Sequence, residues 1–180
     1  AAWLILSPPP LPKIANQPKD VSVPSGQAAV FKVVAKGENL IYLWMKDEDP
    51  LHQQGDTLSI TNAQSNDSGS YGVKVSNEHG VTNSSIAKLY VIIPPKITSK
   101  FEKKREAKVG ELASFEVKAN GNGKIEYQWH RGDKIIPDAT NQIFRIKDVK
   151  LTDFARYHVI VSNEAGSDKS AAVELARWIP

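Results

Sequence analysis

The chain has 180 residues, 41% apolar and 24% charged, with a formal net charge of +3. That length suits two small domains, and the absence of cysteine excludes disulfides, thiol nucleophiles and Cys-based zinc sites. No apolar run approaches the length of a membrane span, so membrane insertion is not expected.

Residues 1–6, AAWLIL, align with Ile86–Val91 and Ala171–Ala176, since Ala2, Ala87 and Ala172 are spaced 85 residues apart. They read as the last strand of a preceding repeat, which makes the chain an expected piece of a longer array. Ser7–Pro12, SPPPLP, is a stiff polyproline-type spacer. Residues 1–12 thus stand apart from a first domain at 13–93 and a second at 94–180.

In the first domain an alternating strand follows Gly26, with Ala29, Phe31 and Val33 on one face. A second strand, Leu40–Met45, carries Trp44, and Asp47–Pro50 reads as a turn. Thr57–Ile60 is a short strand, Tyr71–Asn77 turns Tyr71, Val73 and Val75 inward, and Val81–Val91 closes the domain. The second domain repeats this order: Ala113, Phe115 and Val117 on one strand, Trp129 on the next, then Ile143–Ile146, then Tyr157, Val159 and Val161. Asp67, Tyr71, Asn77 and Gly80 recur as Asp153, Tyr157, Asn163 and Gly166, each 86 positions later. Four landmarks at one offset establish an internal repeat. Short strands without a sustained helical period predict two all-β antiparallel sandwiches in tandem, placed end to end by the short Ile93–Lys96 connection.

No catalytic or cofactor site emerges. The histidines lack metal-ligand spacing, no serine sits on a nucleophile elbow, and no Gly-rich loop leads into a helix. His130 and His158 neighbour inward positions and are expected to face solvent. Asp47–Asp49 reads as an acidic turn tip. Asn66-Asp67-Ser68 and Asn83-Ser84-Ser85 match the glycosylation acceptor triplet, a short pattern common by chance. Arg131-Gly132-Asp133 spells the tripeptide integrins read, on a turn that needs glycine and polar flanks for backbone reasons alone. Residues 1–95 carry seven basic and eight acidic side chains, and residues 96–180 carry sixteen and twelve. The excess lies between Lys96 and Lys108, including Lys100, Lys103, Lys104 and Arg105. It reads as a soluble strand edge, and a nucleic-acid partner is not expected.

The order Gly-x-x-Ala/Ser, inward Phe, Trp, then Asp-x-Gly/Ala-x-Tyr resembles immunoglobulin-superfamily domains of the intermediate (I) set, twice over. The resemblance implies that Val33 and Val73, and likewise Val117 and Val159, hold the positions of the family's disulfide. It implies that Tyr71 and Tyr157 are tyrosine corners, with Asp67 and Asp153 anchoring the same loops. Runs such as Tyr127–Thr140 and Val159–Ser167 are similar to Cys-free Ig-like repeats of bacterial secreted and surface proteins; titin-like sarcomeric arrays are the alternative. The implied function is adhesion, protein binding or stiff spacing outside the cell or at its surface, next to other repeats. The alternatives are a sarcomeric pair or an accessory polymer-binding domain of a secreted enzyme.

Overall fold

The computed structural model describes residues 10–179, so the strand expected over residues 1–6 and most of the proline spacer lie outside the described residues. The chain divides into two compact units, with the boundary between Val91 and Ile92.

The first unit runs β1 (Lys13–Asn16), β2 (Val21–Pro24), β3 (Ala29–Lys32), β4 (Val34–Lys36), β5 (Ile41–Lys46), β6 (Asp49–Pro50), β7 (Thr57–Ile60), β8 (Gly69–Asn77), β9 (Gly80–Asn83) and β10 (Ala87–Ile92). The second runs β11 (Lys96–Ile97), β12 (Lys104–Ala107), β13 (Ala113–Glu116), β14 (Ala119–Asn120), β15 (Glu126–Arg131), β16 (Lys134–Ile135), β17 (Ile143–Ile146), β18 (Arg156–Asn163), β19 (Gly166–Lys169) and β20 (Val173–Arg177). In each unit one sheet has the order β2-β10-β8-β5-β6, or β12-β20-β18-β15-β16, and β3–β7 or β13–β17 lies in a separate sheet.

Two strands break where sequence alternation reads as continuous. The strand after Gly26 parts at Val33, whose N–H leaves the ladder to bond the Asp56 carbonyl. The closing strand parts into β9 and β10. There the Ser84 hydroxyl accepts the Val73 N–H at 2.9 Å and donates to the Ser85 carbonyl at 2.8 Å. Ser170 does the same for Val159 and Ala171, at 3.0 and 2.9 Å. A side chain thus replaces a ladder partner for the Val73 and Val159 N–H groups at the break. At the edge of the second unit's large sheet β12 runs parallel to β20.

The inward residues form one core per unit. Val33, Val73, Val117 and Val159 are all buried, beside Trp44 and Trp129, which are fully buried. Burying a valine contributes about 1.5–3 kcal/mol, so a pair of them does work comparable to the roughly 2–4 kcal/mol typical of a disulfide. Both indole N–H groups are satisfied, by Gly55 and Asn141 carbonyls at 3.0 and 2.9 Å. Tyr71 and Tyr157 donate their hydroxyls to the Asp67 and Asp153 carbonyls at 2.6 and 2.7 Å. The same aspartates accept the Gln64 and Lys150 N–H groups through their carboxylates, closing one-turn 3-10 segments at Ser65–Asp67 and Leu151–Asp153. Burial and then the Asp67 and Asp47 carboxylates push the Tyr71 hydroxyl up to about 12, which keeps it a donor.

Candidate interaction surfaces

The connecting segments dock onto the domain that follows them, in the same way twice. In the second unit the Asn163 side-chain amide donates to the Ile93 carbonyl at 2.7 Å, and the Asn122 side chain accepts the Ile93 N–H at 2.5 Å. Two glycines make room for the chain. A Cβ on Gly121 would stand 3.0 Å from the Pro95 Cα, and one on Gly166 would stand 3.4 Å from the Pro94 Cβ. Asp168 accepts the Ile97 N–H at 2.9 Å and pairs with Lys96 at 3.2 Å. These contacts, the backbone one first, hold its carboxyl below the usual range. In the first unit Asn77 reaches the Pro10 carbonyl at 3.4 Å, Thr82 donates to the Pro12 carbonyl at 2.5 Å, and Gly37 and Gly80 lie under Pro12 and Leu11. Ile92 is 6% exposed and packs over Gly123, while Ile93 is 39% exposed.

The basic run does not form a free cationic patch. Lys104 bonds Glu106 at 2.7 Å, and that hydrogen bond raises its pKa. Arg105 donates to the Ser114 carbonyl and lies over the Phe115 ring, 5.6 Å from its centroid. Lys108 lies over Trp178. Among the described residues Lys100 and Lys103 make no ion pair.

The Arg131-Gly132-Asp133 turn is also tied inward at its first member. Arg131 donates to the Thr152 carbonyl at 3.2 Å and stands 3.8 Å from the Asp153 carboxylate. Gly132 takes a positive φ of 55°. Presenting Arg131 to a receptor would require giving up both contacts. Replacing Asp133 by Glu is expected to leave attachment of integrin-bearing cells unchanged, and loss of attachment to immobilised protein would assign the turn a receptor.

The outward faces of the two large sheets differ at one matched position. In the first unit Met45 opposes Gly72, and the missing side chain leaves a groove of about 790 Å³ lined by Met45, Ser70, Lys74, Asn83, Ser84 and Ile86 among others. In the second unit His130 opposes His158. Contrary to the expectation that they face solvent, these histidines are 9% and 6% exposed, because each ring covers the other on the outer side of the sheet. Alternation assigns the face correctly but cannot register a pair brought together by strands 28 residues apart in sequence. Among the described residues no group of three or more potential metal ligands exists, and no helix is long and apolar enough to cross a membrane.

The immunoglobulin I-set domain model matches residues 12–91 and again residues 95–176. The muscle M-line assembly protein unc-89 of Caenorhabditis elegans is 32% identical over 185 residues, covering 90% of this chain and 2% of the relative. The rat cell adhesion molecule DSCAM is 32% identical over 136 residues, covering 72% of this chain and 6% of the relative. The titin I-band fragment I67–I69 superposes with a TM-score of 0.84 at 23% identity, over 93% of this chain and 66% of that one, which shows the fold. The chain therefore spans a small part of the curated relatives it matches.

Proposed function

The chain belongs to the immunoglobulin I-set family, and from that membership we propose that it is a non-catalytic tandem module of a larger multi-repeat protein, acting as a stiff spacer or adhesive segment. The observation that carries the reading is the linker docking. The first unit ends at Val91, and the next residue, Ile92, is already packed in the second, with Ile93 hydrogen-bonded to Asn122 and Asn163. No Gly/Ser run supplies slack, and Pro94 and Pro95 fix their own φ. A spacer must transmit position or tension, and an anchored connection does so at low entropic cost.

Both a muscle assembly protein and a cell adhesion molecule are relatives, and spacing serves either setting. The likeness to bacterial surface repeats rests on Tyr127–Thr140 and Val159–Ser167 alone, while the relatives matched above are animal proteins. Partners are proposed to be proteins and neighbouring repeats, with no cofactor or nucleic acid. Small-angle scattering of the 180-residue chain tests the spacer reading. A distance distribution extended to about two domain lengths, without the broadening of free pivoting, is expected. A compact or pivoting profile would remove the spacer role.

A further inference from the structure

His130 and His158 face each other across β15 and β18, with ring centroids 4.7 Å apart and planes within 8°. Such a stack suits neutral imidazoles, because protonating either ring puts a positive charge against its neighbour in a partly dry site. His130 Nδ1 lies 3.2 Å from the Gln128 carbonyl, which can only accept, so that nitrogen carries a proton. Among the described residues no hydrogen bond reaches the His158 ring, so a charge on it is met by no direct partner. The charged groups that act on His158 are Lys169 on β19, which opposes its protonation, and Asp133 in the turn before β16, which favours it. The first unit carries Met45 and Gly72 at the matched positions and has no such stack.

We propose that the His130–His158 stack is an acid-labile latch that loosens the second domain, and not the first, under mildly acidic conditions. An unfolded histidine titrates near 6.5. In the folded domain burial first, then Lys169 and His130, hold His158 below its usual value. Above that pH both states are neutral and the stack carries no penalty. Below it the open state takes up the proton first, so stability falls as pH falls. A chain of repeats containing this domain would then open at this point on acidification.

Hydrogen exchange on the full chain reads this directly. Between pH 7.5 and 5, protection of the Tyr157–Ile160 amides relative to Tyr71–Lys74 is expected to drop by about tenfold for each unit by which His158 is depressed. His130→Met, which copies the first unit, is expected to reduce that drop. Ring titration of the wild-type chain by NMR provides the measurement independent of any variant. A His158 midpoint at or above the ordinary histidine value, or equal protection loss in both domains, would overturn the latch.

Discussion

Replacing Trp129 by alanine is expected to destabilise the second domain by about 3–5 kcal/mol, the usual cost of deleting a large buried aromatic. Trp129 is fully buried, and its ring lies 5.9–6.5 Å from those of Phe101, Phe115 and Phe144. Its N–H also satisfies the Asn141 carbonyl at 2.9 Å. Trp44→Ala is expected to cost less within the same range, because Phe31, at 6.4 Å, is its one ring contact among the described residues. Each aromatic pair adds about 0.5–1.5 kcal/mol beyond area burial. A domain with a total stability of about 5–15 kcal/mol cannot absorb such a loss without a visible shift. Urea unfolding monitored by far-UV dichroism checks it, and a loss below about 1 kcal/mol would move either Trp out of the core.

The core was legible because period-2 alternation and the 86-residue offset both point to the same inward residues. Phe31, Val33, Trp44, Tyr71 and Val73 and their second-domain counterparts are all buried. Less legible were features that depend on local geometry. Ser84 and Ser170 lie in stretches that read as continuous strand or simple loop, yet their hydroxyls hold the Val73 and Val159 N–H groups. The linker cradle was hidden for a different reason. Its matched residues, Pro10 with Ile93 and Pro12 with Pro95, are 83 positions apart, three short of the main period, so the repeat does not align them. What repeats there is a backbone path, held by Asn77 and Asn163, and not a side-chain type.

That cradle gives the second large effect, Gly121→Ala. Gly121 has a φ of 148°, and a Cβ there would stand 3.0 Å from the Pro95 Cα and 3.4 Å from the Pro95 nitrogen. The neighbour is backbone, so it cannot swing aside as a side-chain tip would. A non-glycine residue in such a region costs about 1–3 kcal/mol, and the contact pushes the linker off its seat. Gly132→Ala is the control: its φ of 55° is also positive, but an added Cβ would meet nothing within 4 Å, so strain comes without linker displacement. Lys96 follows Pro95 directly, so tryptic cleavage after Lys96 reports on the seat. Gly121→Ala is expected to speed that cleavage by roughly 5–30-fold, the change that 1–2 kcal/mol makes in a local equilibrium. Gly132→Ala is expected to leave it close to wild type. Equal cleavage in the two variants would mean that Gly121 does not hold the linker, and the anchored connection behind the spacer reading would lose its support.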